Sequence, residues 1–399
     1  MTTATTVRLG EVASINPKLP QRPAPDDAVS FVPMSAVDQG TGIVSDSETR
    51  SFAEVSKGYT TFLDGDILVG KITPCFENGK IGHARLKNKV GVGSTEFHVV
   101  RPESGRADAR YLLHMLRQPW IRVAGERRMT GSAGQRRVPQ EFVADLKVRL
   151  PSLDEQRRIA ELLDRIDTLR DTRTRALNQL DELSRGIFME MFVLDGPSHP
   201  VASVGDIANR SKGSIRTGPF GSQLLHSEFV DSGVAVLGID NAVANEFRWG
   251  ERRYISEDKY WRLSRYRVYP GDVIITIMGT CGRCAVVPAG IPLAINTKYL
   301  CCITLDHEKC LPEYLHSYFL MHPVAREYLN RAAKGAIMSG LNMGIIKDMP
   351  VCLPSTSDQR QYVARRSEVR RIQEVQQRAL GELDALFASL QHRAFRGEL

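Results

Sequence analysis

Between residues 154 and 183 the apolar positions recur in alternating steps of three and four. Ile159, Ile166, Arg173, Leu180 and Ile187 form one set at seven-residue steps, and Leu162, Leu169, Ala176 and Leu183 form the other. Charged residues fill the remaining faces. This pattern predicts a long helix whose narrow seam meets a partner helix rather than a broad core. The stripe returns 203 residues later, between 358 and 390. There Tyr362, Val369, Gln376, Leu383 and Leu390 answer the first set, and Ile372, Ala379 and Leu386 the second. Both stripes break at the same step, Arg173 in one and Gln376 in the other. A polar seam residue costs stability but fixes register, so each helix is the natural partner of the other. Pro151 with Ser152 or Asp154 starts the first helix, and Pro354 with Ser355 or Ser357 the second. "LDGPSHP" (194–200) ends the first. About 35 to 40 residues per helix correspond to about 50 to 60 Å.

The repeat extends upstream. "LPSLDEQ" (150–156) matches "LPSTSDQ" (353–359), and "RYLLHML" (110–116) matches "EYLHSYF" (313–319). "FLDGDILVGKI" (62–72) matches "VYPGDVIITIM" (268–278), with the offset now 206. Short β-branched runs such as "GDVIITIM" and "EFHVVRP" read as strands, while 108–125 and 312–332 carry helical periodicity. The expected organisation is α+β: a mixed globule over 1–150, a helix over 151–194, a second globule over 195–354, and a second helix over 355–399. Antiparallel pairing of the helices as a coiled coil would relate the globules by a pseudo-two-fold. Such a ruler, with a reader at each end, is of the right order to span DNA half-sites about 34 to 36 Å apart per turn.

Composition adds less. The net charge of +7 permits a polyanionic partner without requiring one. No window of 18 uncharged apolar residues predicts a membrane span, and the N-terminus reads as no signal peptide. Seven cysteines at irregular spacing read as reduced thiols in the cytoplasm. "CGRC" (281–284) supplies two of the four ligands that zinc usually takes, with Cys301, Cys302 and Cys310 nearby in sequence. Ordinary thiols are the favoured reading, and no metal is assigned. "GDILVGKI" has Ile72 where a phosphate-binding loop needs Ser or Thr, and its strand lies inside the motif. No hydrolase, zinc-protease or methyltransferase motif is complete, so no catalytic residue is assigned.

Four loops carry candidate nucleic-acid chemistry. "GERRMTGSAGQRRV" (125–138) offers Arg127, Arg128, Arg136 and Arg137, and its repeat counterpart (330–343) offers Arg331, Lys334 and Asn342. "KITPCFENGKIG" (71–82) offers Lys71, Thr73, Asn78 and Lys80 around one exposed-looking Phe. The segment around "RTGPFGSQL" offers Lys212, Arg216, Phe220, Ser222 and Gln223. Arg and Lys suit phosphates and guanine, Asn and Gln suit adenine, and solvated surface loops are the alternative.

These strings resemble the specificity subunit of type I restriction-modification systems. "SFVPMSAVDQGTGIV" (30–44), "GDILVGKITPCFENGKIG" (65–82) and "GSTEFHVVRP" (93–102) look like one kind of target recognition domain, and "TGPFGSQL" (217–224) like the opening of another. "LPSLDEQRRIAELLDRID" (150–167) and "AFRGEL" (394–399) look like the family's spacer regions. The resemblance implies a subunit without catalytic activity or bound cofactor. Each recognition domain would read half of a bipartite double-stranded DNA site. Two modification subunits, using S-adenosylmethionine, would dock on the scaffold. Restriction subunits, using ATP and Mg, can join. "PCFENGK" occurs only in the first globule and "GPFGS" only in the second, so the implied target is asymmetric. Leu163, Leu177 and Met191, beside the seam, would receive the modification subunits or widen the helix packing. The competing reading is a coiled-coil adaptor whose globules bind proteins.

Overall fold

The computed structural model describes residues 5–44, 48–132, 134–194, 199–334 and 340–399, with the side chains of 333 and 334 left out. It mixes helix and sheet as expected. Two long helices, Leu153–Met189 and Thr356–Arg396, occupy the heptad stretches. Glu190–Leu194 continues the first helix as a π-helical turn. The chain forms two compact units, and the division falls inside both helices. The first unit contains residues 1–176 and 376–399, and the second residues 177–375.

In the first unit, Ala13–Ile15, Phe97–Pro102, Ile67–Gly70 and Ile81–His83 form an antiparallel four-stranded sheet in that order. A second sheet orders Glu48–Ser51, Ala28–Val32, Val90–Gly93 and Thr60–Leu63, with its two central strands parallel. The helix Ala109–Leu116 begins at Asp108, whose carboxylate accepts from the Arg110 and Tyr111 amides. Its apolar side packs with Ile67, Val100 and Leu163 in the principal core.

The second unit has its own version. Ile215–Thr217, Leu300–Ile303, Val273–Thr276 and Cys284–Val286 form the antiparallel sheet, and Val234–Leu237 runs parallel to Ala294–Asn296 in the other.

Duplicated hydrogen bonds tie the helix starts to each unit. Gln156 is fully buried; its amide oxygen accepts from Asp108 N–H at 2.8 Å, and its nitrogen donates to the carbonyls of Arg106 and Pro151. Gln359 does the same for Leu311, Lys309 and Pro354. Tyr111 donates its hydroxyl to the Arg149 carbonyl, and Tyr314 to that of Cys352, both at 2.6 Å. Each buried amide or hydroxyl thereby satisfies backbone groups that would otherwise lie unpaired out of reach of water.

The seam positions divide. Ile159, Ile166 and Val369 are buried, and Leu162, Leu180 and Leu383 are half-buried. In the first unit Arg173 donates to the Gln376 amide oxygen at 2.5 Å, and Arg170 to Asp384 at 2.6 Å. In the second, Gln373 donates to Asp181 at 2.6 Å. Leu169, Leu183, Ile372 and Leu386 are 46–51% exposed, contrary to the expectation that both apolar sets lie in one seam. The reason is rotation. At about 100° per residue, Ala160, Leu163 and Asp167 centre the buried face of the first helix, and Leu162 and Leu169 lie about 130 to 150° round from it. Leu163, expected on an outer flank, is fully buried in the first core. Leu177 is half-buried, and Met191 packs against the core of the second unit.

Candidate nucleic-acid interface

Sheet register decides which loops meet. In the first unit Ile67–Gly70 leaves its sheet where Gly70 faces Phe97, and Ile81 re-enters opposite Val69. Segments 71–80 and 94–96 therefore emerge at one end. Segment 130–137 joins them: Ile72 bridges Arg137, Thr73 N–H donates to the Arg136 carbonyl at 2.9 Å, and Val138 N–H to that of Lys71 at 2.9 Å. The two loops singled out in this half of the sequence thus come together.

Their side chains are more committed than the sequence suggests. Phe76 is buried, not exposed; a Cβ on Gly125 would lie 2.4 Å from its ring, so the glycine makes its seat. Arg137 makes two bonds to Glu96, at 2.9 and 2.8 Å, and these hold the Glu96 carboxyl below the usual range. Arg136 lies 3.7 Å from Glu77, which also accepts from the Thr73 hydroxyl at 2.8 Å. Lys80 donates to the carbonyls of Met34 and Val37, at 3.0 and 3.3 Å, so it pins a neighbouring turn instead of facing a ligand. Lys71 is half-buried, and Asn78, Arg127 and Arg128 are exposed. Arg127 and Arg128 follow the helix Pro119–Glu126.

The second unit builds the same end. Thr217 faces Cys301 and Thr276 faces Leu300, so segments 218–223, 277–283 and 297–299 converge. Gly218 N–H donates to the Thr297 carbonyl at 3.2 Å and Ile277 N–H to that of Tyr299 at 2.9 Å. Leu341 N–H donates to the Ile277 carbonyl at 3.1 Å, which brings in the segment from 340. A Cβ on Gly218 would fall 2.1 Å from the Asn296 oxygen, so this approach requires glycine. Phe220 is 49% exposed at the loop tip, with Ser222 and Gln223 exposed beside it.

Arg216 does not belong to this surface. It is buried and donates to Asp272 at 2.5 Å and to the Arg267 carbonyl at 2.8 Å. Asp272 occupies the place of Asp66 in the repeat, but Arg101 reaches Asp66 from a different strand, Phe97–Pro102. Asn342 caps the helix Met343–Lys347 by accepting from Ile345 N–H at 2.9 Å. Arg331 is exposed but pairs with Glu327 at 2.5 Å. Lys212 is exposed. The side chain of Lys334 lies outside the described residues.

One group escaped the sequence reading. The run "WRLSRYRVY" (261–269) alternates arginine with aromatics, a pattern suited to phosphates and bases. Tyr266 donates its hydroxyl to the Gln223 amide oxygen at 2.9 Å, which places this run beside the Phe220 loop. Arg267 lies 4.8 Å from the Tyr269 ring centre and Lys298 5.2 Å from that of Tyr299. The alternation itself was the available signal. Among the described residues no cluster of His, Cys, Asp and Glu could hold a metal ion. No helix there is long and apolar enough to cross a membrane.

Residues 1–182 match the family described as the type I restriction modification DNA specificity domain. The specificity subunit of the type I restriction enzyme EcoEI from Escherichia coli is 42% identical over 166 residues, which is 41% of this chain and 28% of that protein. The EcoAI specificity subunit, also from Escherichia coli, is 44% identical over 154 residues, 38% of this chain and 26% of that protein. The chain thus spans only about a quarter of the length of these two relatives. The MjaVIII specificity subunit of Methanocaldococcus jannaschii aligns over 98% of this chain and 92% of its own length at 19% identity. In fold, the type I S subunit from M. genitalium superposes with a TM-score of 0.61 at 13% identity, covering 98% of this chain and 96% of that one. A chain from a structure of type I assembly and conformational transition reaches 0.56 at 18% identity, covering 100% of this chain and 99% of that one. The family match covers residues 1–182, and the fold of the whole chain is that of these solved structures.

Proposed function

We propose that this chain is the non-catalytic sequence-reading subunit of a type I modification or restriction complex in the cytoplasm. Each globule reads one half of an asymmetric, bipartite double-stranded DNA site. The two helices pair antiparallel and set the spacing between the halves. Two adenine-methylating modification subunits dock on the scaffold and carry S-adenosylmethionine. Restriction subunits that join bring the chemistry of ATP and Mg. The target recognition domains are taken as 1–150 and 195–354, with 151–194 and 355–399 as spacers.

One observation carries this reading. Both halves gather loops at the same end of equivalent sheets, yet present different side chains there. Lys71, Asn78 and Arg136 stand there in one half, and Phe220 accompanies Gln223 and Lys298 in the other. A repeated frame with divergent loops is what two readers of two different half-sites require. The half-exposed leucines of the long helices favour protein docking there, which an adaptor without a DNA role would share.

Modified-base sequencing of host DNA tests the proposal. Methyladenine at a split, asymmetric motif should vanish when the gene is deleted, and an unchanged pattern with the assembled protein present favours the adaptor. Replacing Arg127 and Arg128 by Ala should weaken duplex binding and reduce the slope of log affinity against log salt by about 2. An unchanged slope would remove both from the interface.

A further inference from the structure

The Gln223 amide has a fixed orientation. Phe220 N–H lies 3.3 Å from one end of the amide, and a backbone N–H can only donate, so that end is the oxygen. Tyr266 donates its hydroxyl to the same oxygen at 2.9 Å. The Tyr266 oxygen in turn receives Arg265 Nη2 at 2.7 Å, which leaves its proton for Gln223. An amide oxygen has two lone pairs, and both are occupied. The chain of donors from Arg265 through Tyr266 ends at the exposed Gln223 nitrogen, and each link polarises the next.

Resting on the DNA-reading function proposed above, we infer that Gln223 is a donor-only base reader specific for a purine N7 edge, guanine before adenine. Glutamine recognises adenine by accepting from N6 while donating to N7. Here the accepting half is closed. Guanine offers acceptors at both N7 and O6, whereas the adenine N6 amino group would meet the amide's own N–H donors. Tyr266 is then a positioning residue, setting specificity without touching the base.

The test uses the full chain assembled with its modification subunits. Binding is selected from a library of randomised duplexes for the wild type, Tyr266→Phe and Gln223→Glu. The wild type should show one position confined to guanine, with 7-deazaguanine there weakening binding about tenfold. Tyr266→Phe frees one lone pair and should admit adenine at that position alone. Gln223→Glu should move the preference at that position to bases bearing an amino group. If both variants keep the wild-type motif, or weaken all sequences alike as a phosphate contact would, the inference is overturned. If the wild type selects no sequence at all, the DNA-reading function itself falls.

Discussion

The two units hold their segments of the long helices by different mixtures of contacts. In the first, ring contacts of Phe395 with Tyr111 and of Phe387 with His114, at 5.2 and 6.1 Å, are joined by ionic ones. His114 bonds Asp164 at 2.8 Å, Arg117 lies 3.1 Å from Asp167, and Arg170 bridges Asp167 and Asp384 while covering the Phe387 ring at 4.8 Å. In the second, the contact is aromatic. Phe188 and Phe192 pack against Tyr314 and Tyr362 with ring centres 5.0 to 6.2 Å apart. The duplicated Gln156 and Gln359 bonds survive in both. Groups that satisfy backbone have few substitutes, while the surface between helix and globule can be filled in more than one way.

The largest test of that contrast is Phe188→Ala. The ring is fully buried, so its loss should cost the second unit about 3 to 5 kcal/mol in chemical unfolding. A loss below about 1 kcal/mol would mean the aromatic cluster repacks freely.

Next comes pH. Burial, aided by the Arg366 charge, pushes His316 down to about 4 from an ordinary 6.5. The neutral ring bonds the carbonyls of Asn245 and Cys284, at 2.8 and 3.0 Å. Because the folded value is depressed, the stabilising contribution is full above 6.5 and disappears as pH falls toward 4. The loss is about 3 kcal/mol, and it should appear in urea unfolding of the wild type between pH 7 and pH 4 beyond any change in His316→Asn. Equal pH dependence in both proteins would acquit His316.

Gln156→Ala and Gln359→Ala should each cost about 1 to 3 kcal/mol, and by similar amounts, because each strands the same three backbone partners. Clearly unequal losses would show that the repeat is conserved in geometry but not in energy. Asp384→Asn should matter least, below about 1 kcal/mol and less still in high salt, since the carboxylate is half exposed.

The duplication was legible because periodicity survives divergence. Tyr111 and Tyr314 stand 203 residues apart and do the same work. The helices were legible for the same reason. Their buried face was not, because a heptad specifies a stripe and tertiary packing decides how far it is rotated. Arg216 misled because its partner Asp272 lies 56 residues away, and nothing local marks the pair. Phe76 misled because its seat is a glycine in the helix Pro119–Glu126, 49 positions on. The division of the chain was also hidden, since it runs through two uninterrupted helical patterns.

That division bears on the order in which the protein is made. The second unit is one continuous stretch, residues 177–375, whereas the first needs 376–399 to supply Ala394 and Phe395, whose ring lies 5.2 Å from that of Tyr111. A ribosome therefore delivers everything the later-coded unit needs before it delivers the last piece of the earlier one. Until then the socket around Tyr111 stands open in the nascent chain, available to a chaperone. The half that is translated first is the half that matures last.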